Sequence, residues 1–369
     1  MHFTIAREVL FRPLQMVSGV VERRQTLPVL SNVLLVLKDN ELSLTGTDLE
    51  VELVGRVAVA VDDVLDAGAI TVPARKFLDI CKSLADDAQI ELKLTDSKLQ
   101  LKSGRSKFTL TTLPASEFPS VEDEAGSFSL TLSQSRLSQL LERTSFAMAQ
   151  QDVRYYLNGT LFEIAPDYLR VVATDGHRLA METVAMESGV SDTHQLILPR
   201  KGIMELTRLL SDEGGEIALT FGPNHVRAQV PEYTFTSRLV DGKFPDYNRV
   251  LPKAGDRVVV ADSELMRQAC IRASILSNEK YRGVRIILNK DELRLVANNP
   301  EQEEAEEVLP VEYGAEPMEM GFNVSYLIDV LSALKSKQVR MTLSDPNSSA
   351  LLEATEGSDA IYVVMPMKL

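Results

Sequence analysis

The sequence predicts an α+β chain of three repeated domains, each with two helices against an antiparallel sheet. Three observations carry that expectation. One order of elements recurs three times along 369 residues. The second helix of every copy shows the same amphipathic spacing. The runs between helices are rich in strand formers. A chain of this length exceeds one ordinary core, so each copy is expected to bury its own.

The first copy reads LSLTGTDLEVELVGRV, TVPARKFLDICKSL and FTLTTLPASEFPSV. The second reads LRVVATDGHRLAMETV, LILPRKGIMELTRLL and FTSRLVDGKFPDYNRVLP. The third reads LRLVANNPEQEEAEEVL, MGFNVSYLIDVLSAL and IYVVMPMKL. Asp48, Asp175 and Asn298 recur at nearly equal intervals, too long for a solenoid repeat. Turn-like breaks at EDEAGS and LPKAGD divide the chain into domains at residues 1–125, 128–252 and 253–369. The second helices place Phe77, Ile80, Cys81 and Leu84 on one face. Ile203, Leu206, Thr207 and Leu210 repeat that spacing, as do Leu327, Val330, Leu331 and Leu334. Pro73 and Pro199 suit first turns, and Ser325 suits an N-cap. Of the first helices, Leu137, Leu140, Leu141, Thr144 and Met148 keep the period behind Ser133.

Composition narrows the function. At 44% apolar and 25% charged, the chain reads as globular, and no apolar run approaches the ~20 residues that cross a bilayer. No basic n-region with an apolar h-region opens the chain, so a cytoplasmic protein with no membrane partner is expected. Cys81 and Cys270 lack CxxC spacing and read as structural thiols of a reducing compartment. The four histidines, His2, His177, His194 and His225, have no metal-ligand spacing, and neither metal nor cofactor is expected. No G-x-x-x-x-G-K-[ST] occurs, so the chain should not hydrolyse nucleotide. His177 beside Asp175, with Tyr155, Tyr156 or Arg178 assisting, is the one arrangement that suits acid–base chemistry. A structural TDG turn explains the same letters, and the equivalent turns of the other copies lack the histidine.

A net charge of −14 argues against a groove-reading DNA-binding domain. Contact with nucleic acid then requires a local basic face or enforcement by geometry. Basic residues do recur two turns apart opposite the core stripe: Arg75 with Lys82, Arg136 with Arg143, and Lys201 with Arg208. A solvated helix face and a basic lining both account for them. The third copy departs, with Asp329 and Ser332 on its outer surface. Charge is also split between the ends of the array. Lys98, Lys102, Arg105 and Lys107 lie in the first copy, whereas Glu301, Glu303, Glu304, Glu306 and Glu307 lie in the third. Such a division suits head-to-tail association that closes into a ring.

The strings LTGTDLE, TVPARKF, QDVRYYLNG, ATDGHRLA, PRKG, FPDY, ILSNEK, NNPEQEEAEE, GFNVSY and YVVMPM run in order along the whole chain. In them the sequence resembles the bacterial sliding-clamp family, the beta subunit of DNA polymerase III. The resemblance implies three clamp domains per chain and a head-to-tail homodimeric ring around double-stranded DNA, held without sequence specificity. It also implies no enzymatic activity, hence loading by a separate ATPase. The partners it implies are the polymerase III alpha subunit, clamp-loader ATPase subunits, and other polymerases and repair proteins carrying a clamp-binding linear motif.

Residues carry over by position. A peptide cleft is implied at Thr174, Gly176, His177, Arg178, Leu179, Pro245, Arg249 and Val250. Its second part matches Arg154, Tyr156, Leu157, Asn323, Tyr326, Ser349, Val363, Val364, Met365, Pro366 and Met367. Asn347 and Lys368 depart from the enterobacterial pattern at its edge. DNA contact is implied for Arg24, Gln151, Tyr155, Arg200 and Lys201, and the helix pattern adds Arg75. The charge division and the GRSKF and ILSNEK strings point to an interface. Phe108 and Leu110 should meet Ile275 and Leu276 there, with Arg105 and Lys107 approaching Glu301, Glu303 and Glu304.

Overall fold

The computed structural model describes residues 1–22, 27–119, 126–211, 213–252 and 255–368. One order of elements repeats three times. The first repeat holds β1 (His2–Ala6), α1 (Arg7–Val20), β2 (Asn32–Lys38), β3 (Glu41–Thr47), β4 (Val51–Ala58), a short β5 (Val64–Asp66), β6 (Gly68–Pro73), α2 (Ala74–Ser83), β7 (Gln89–Thr95), β8 (Lys98–Ser103) and β9 (Ser106–Thr111). The second holds β10 (Phe128–Ser133), α3 (Gln134–Thr144), β11 (Gly159–Ile164), β12 (Tyr168–Thr174), β13 (Arg178–Ala185), β14 (His194–Pro199), α4 (Arg200–Leu209), β15 (Glu216–Phe221), β16 (His225–Val230) and β17 (Tyr233–Arg238). The third holds β18 (Arg257–Asp262), α5 (Ser263–Ile275), β19 (Gly283–Asn289), β20 (Glu292–Asn298), β21 (Glu304–Pro310), β22 (Met318–Asn323), α6 (Val324–Leu334), β23 (Gln338–Leu343), β24 (Ala350–Ala354) and β25 (Ile361–Val364). The expected domain boundaries fall on or beside residues 120–125 and 253–254, outside the described residues.

Every named strand pair is antiparallel, and the sheets cross the repeats. One eight-stranded sheet runs β10-β15-β16-β17-β4-β3-β2-β6, and another runs β14-β11-β12-β13-β25-β24-β23-β18. A five-stranded sheet, β5-β1-β7-β8-β9, and a four-stranded one, β21-β20-β19-β22, complete the set. The chain accordingly forms two compact units: Met1–Leu137 with Lys201–Leu239, and Ser138–Arg200 with Val240–Leu369. Each unit contains one whole eight-stranded sheet, so the second repeat is shared between them.

The helices form as their spacing requires. Phe77 and Cys81 of α2, Ile203 and Leu206 of α4, and Leu327, Val330, Leu331 and Leu334 of α6 are buried. Leu84 and Leu210 lie one residue past their helix ends and are half-buried. Pro73 and Pro199 each end the preceding strand, immediately before the first helical turn. The N-cap of α6 is Asn323, whose side chain accepts from Ser325 N–H at 2.9 Å, and not Ser325 itself. An amide oxygen one residue before the helix competes with a hydroxyl inside its first turn, and here the amide wins. One alignment also shifts. Thr47 faces Glu52, Thr174 faces Leu179, and Asn298 faces Glu304, so Asn299 is the counterpart of Asp48 and Asp175. The third loop is one residue longer than the others, which displaced the sequence match.

Candidate functional site

The turn between β12 and β13 is built by its own side chains. The Asp175 carboxylate accepts from the N–H groups of His177 and Arg178 at 2.8 and 3.0 Å. The Thr174 hydroxyl donates to the Arg178 carbonyl at 2.6 Å and accepts from Gly176 N–H. Gly176 has φ +88°, a left-handed conformation that favours glycine, and a Cβ there would lie 3.0 Å from the Arg154 guanidinium. Asp175 is therefore spent on the turn and on Arg178, 3.2 Å from its Nε. Among the described residues no bond joins it to the His177 ring, and the acid–base arrangement has no geometry behind it.

β13 pairs with β25 through Arg178↔Val364 and Leu179↔Val363, which sets this turn against the C-terminal strand. Between them opens a pocket of about 300 Å³ lined by Thr174, Gly176, His177, Arg178, Leu179, Arg249, Val250, Ser349, Val363 and Met365. All of these are among the expected cleft residues. Leu179 and Val363 form a buried floor, while Val250 and Met365 stand half-exposed at the rim. The tail is fixed by its backbone: Met365 N–H donates to the His177 carbonyl at 2.9 Å, and Met367 N–H to the Gly321 carbonyl at 2.8 Å.

The other expected cleft residues do not line this pocket. Val364 points to the opposite face of β25 and is fully buried, so it forms no wall. Leu157 is buried in the core beneath the pocket, with Tyr156 packed against it. Pro245 is exposed, and Pro366 and Met367 are half-buried. Asn323 is occupied in capping α6. Arg154 chelates Asp152 through two bonds of 3.0 and 2.8 Å, and these hold the carboxyl down at about 2. Arg178 lies between the Phe146 and Tyr326 rings, 5.3 and 4.5 Å from their centroids. It pairs there with Asp329 and donates to the Phe146 carbonyl. Its guanidinium is a structural tie, and only part of the residue faces the pocket. Asn347 is exposed and donates its N–H to Asp345; it does not line the pocket.

The expected DNA-contact residues separate into different situations. Arg24 lies outside the described residues. Arg75 is exposed on α2, as is its helix neighbour Lys82. Gln151 is exposed with φ +54°, and Tyr155 is exposed with its ring edge-on to Tyr156. Arg200 is half-buried, and its Nη1 has no hydrogen-bond partner. The Lys201 ammonium is held by Glu22 and Asp48. Burial alone would lower its pKa, but the bonds to those carboxylates outweigh burial and raise it. Arg143 is bonded to buried Glu182 at 2.5 Å and Arg208 to Glu205 at 2.6 Å. The basic helix face is therefore thinner than its spacing suggested. Seven-residue spacing reveals a shared face, and it cannot reveal carboxylates such as Glu182, Glu22 and Asp48 that reach it from other elements, whereas Glu205 sits three residues before Arg208 on the same helix.

The expected interface residues lie on and beside the edge strand β9, at the end of α5 and at the start of the edge strand β21. β9 carries Lys107 and Phe108, with Arg105 in the preceding turn. Leu110 of β9 is already buried within its own unit, so Phe108, half-buried, is the apolar side chain left partly open. Ile275, 73% exposed, and half-buried Leu276 end α5. Glu304 begins β21, and Glu301 and Glu303 precede it beside Ile275 in a polar depression of about 430 Å³. Glu307 is already paired with Arg272 at 2.6 Å, and Glu303 accepts from the Asn299 side chain at 2.6 Å. Among the described residues no cluster of His, Cys, Asp and Glu could hold a metal ion, and no helix is long and apolar enough to cross a membrane.

Comparison with known proteins follows the same three-part division. Residues 1–122, 131–246 and 248–368 match the family models for the N-terminal, central and C-terminal domains of the DNA polymerase III beta subunit. The beta sliding clamp of Pseudomonas putida is 60% identical over 369 residues, and that of Escherichia coli is 51% identical, with 100% of both chains covered in each case. A crystal structure of the sliding clamp from Pseudomonas aeruginosa bound to griselimycin is 59% identical, covers 100% of each chain and superposes with a TM-score of 0.96.

Proposed function

The chain belongs to the DNA polymerase III beta subunit family, the beta sliding clamps, and on that premise we propose how its strand edges and pocket serve DNA replication. It is a sliding clamp built of three clamp domains, a processivity factor and not an enzyme. Two copies join head to tail into a ring around duplex DNA in the cytoplasm. The pocket at β13 and β25 takes the linear motifs of the polymerase alpha subunit, of clamp-loader subunits and of other polymerases and repair proteins.

The observation that carries the ring is the strand pattern. At both junctions within the chain, the third strand after a repeat's first helix pairs with the last strand of the next repeat: β4 with β17, and β13 with β25. The unpaired members of those two sets are β21 and β9, each at the edge of its sheet. Joining them between copies completes a third large sheet on the same plan. Counterpart positions set the register. Val54 faces Thr234 and Met181 faces Ile361, which places Glu306 opposite Lys107. Leu53 faces Phe235 and Ala180 faces Tyr362, which places Ala305 opposite Phe108.

The apolar floor and half-open rim of the pocket support peptide docking. Burial of one Leu or Phe contributes ~1.5–3 kcal/mol, so a short motif should bind at roughly micromolar strength and exchange readily. The test of the whole reading is topological. Protein assembled on nicked circular DNA should remain through a high-salt wash and leave when the circle is cut. Equal loss from circular and linear DNA would exclude a closed ring.

A further inference from the structure

The pocket wall bearing Arg249 and Val250 belongs to a single turn, Tyr247–Arg249, capped by the Asp246 carboxylate. Tyr247 is the buried residue of that turn. The strands beneath it present two adjacent cross-strand rows on one face. Ile197, Leu161, Val172 and Met181 pair in register across β14, β11, β12 and β13 and make an apolar row. Two residues along each strand, Gln195, Glu163, Arg170 and Thr183 pair in the same way and make a polar one.

Tyr247 lies across both rows. Its ring joins the core formed by the apolar row and by the pocket floor residues Leu179 and Val363. Its hydroxyl donates to Glu163 Oε1 at 2.8 Å and accepts from Arg170 Nη1 at 2.9 Å. The row is otherwise saturated. Gln195 and Tyr168 donate to Glu163 at 2.6 and 2.9 Å, and Arg170 Nε donates to Thr183 at 2.9 Å. Burial pushes the Glu163 carboxyl up, but the bonds from Gln195, Tyr247 and Tyr168 and the Arg170 charge outweigh it and hold it down. The Glu163 carboxylate is thus ionised at neutral pH. A buried hydroxyl engaged as both donor and acceptor by charged groups on rigid strands has one favourable height above the sheet.

We propose that Tyr247 is a positioning residue for the cleft: its hydroxyl, seated on Glu163 and Arg170, fixes the height of the Arg249–Val250 wall and hence the depth of the pocket. The inference rests on reading that pocket as the peptide cleft. Removing the hydroxyl leaves the ring buried but lets the turn ride along the apolar row, so the free protein loses a preformed wall. The sequence string FPDY marked this segment only by resemblance. Nothing in the chain order places Glu163 and Arg170 beneath Tyr247.

The experiment compares Tyr247→Phe with Tyr168→Phe, which removes a second hydroxyl from the same carboxylate without touching the wall. A pentapeptide containing Gln, Leu and Phe is titrated into each full-length protein by calorimetry. Hydrogen exchange of residues 245–251 and melting temperature are measured alongside. Tyr247→Phe should raise the peptide Kd about tenfold and speed exchange in that segment. Tyr168→Phe should lower the melting temperature while leaving Kd within about twofold of the unaltered protein. Glu163→Gln, which keeps side-chain volume but loses the charge facing Arg170, should weaken the peptide in the same direction as Tyr247→Phe. A Tyr247→Phe protein that binds within twofold of the unaltered one, whatever its melting temperature, overturns the proposal. Failure of the unaltered protein to bind, or undiminished binding after deletion of residues 365–369, would sink the cleft reading and this inference together.

Discussion

Truncating Phe108 to Ala tests the proposed ring at the side chain where its two copies should meet. Its counterparts at the junctions within the chain, Phe235 and Tyr362, are both 0% exposed, whereas Phe108 is only half-buried. If β9 pairs with β21 as β17 pairs with β4, the remaining half of the ring becomes covered. Fully burying a Phe contributes ~1.5–3 kcal/mol, and loss of its outer half together with a partial cavity comes to ~1–2 kcal/mol per interface. A two-chain ring has two such interfaces, so the dimer should lose ~2–4 kcal/mol, which raises its dissociation constant roughly 30- to 700-fold. Sedimentation velocity over a dilution series from micromolar to nanomolar protein reads that shift directly. Circular dichroism checks that the variant remains folded. Phe235→Ala supplies the contrast: it should lower the melting temperature without dissociating the dimer, because its junction lies inside one chain. A folded Phe108→Ala protein whose dissociation constant stays within threefold of the unaltered one would remove β9 from the interface.

The other predictions address register, pocket, lining and pH. Lys107→Glu and Glu306→Lys should each weaken the dimer about tenfold at low salt, and combining them should restore most of the loss; no restoration means the register is wrong. Deleting residues 365–369 removes the Met365 rim and its bond to His177, so the same pentapeptide should no longer bind in calorimetry, while sedimentation shows an intact dimer. Arg75→Ala should weaken DNA binding and flatten its salt dependence by about one phosphate contact. Lys201→Ala, whose ammonium is held by Glu22 and Asp48, should chiefly lower the melting temperature, and the reverse outcome would show that those ion pairs open on DNA. The folded-state pKa of Glu163 lies below its ordinary value of 4.5, so its contribution to stability is present above that value and lost as pH falls through the lower one. Melting temperature measured from pH 7 down to pH 3 should therefore fall more steeply in acid for the unaltered protein than for Glu163→Gln.

Local periodicity made much of the fold legible. The stripe of Leu327, Val330, Leu331 and Leu334 could be read from spacing alone, and the structure buries all four. Pairing between repeats could not be read that way. The letters of β4 and β17 do not announce that Phe235 lies opposite Leu53, because an antiparallel partner distant in sequence leaves no local pattern. The candidate site divided on the same principle. The TDGHRL turn is local, and its Asp175 and Thr174 bonds follow from residues within four positions of each other. Lys201 looked available because helix spacing is blind to Glu22 and Asp48, which approach from distant segments. The Glu163–Arg170–Tyr247 contacts left no local trace for the same reason. Val364 is implied by resemblance alone, whereas strand alternation sets it on the face opposite Val363, where it is fully buried.

The proposed register also bears on how a closed ring can still be opened. One strand pairing would be used at three junctions, but two of them lie inside a continuous chain, where a broken contact re-forms at high effective concentration. The third, β9 with β21, has no such backing. Its side chains differ in kind as well. Where one internal junction sets Met181 against Ile361, the proposed pairing of the free edges would set Glu306 against Lys107. An exposed ion pair adds ~0.2–1 kcal/mol and is screened by salt, whereas apolar cross-strand pairs resist hydration. The ring should therefore part between copies before either chain unfolds. The proposed DNA-facing helix residues fit the same division of labour: carboxylates already occupy Arg143, Lys201 and Arg208, and the chain carries a net charge of −14. On the proposed ring such residues should hold DNA weakly, so that retention would come from closure of the ring and release from the one junction that the chain does not span.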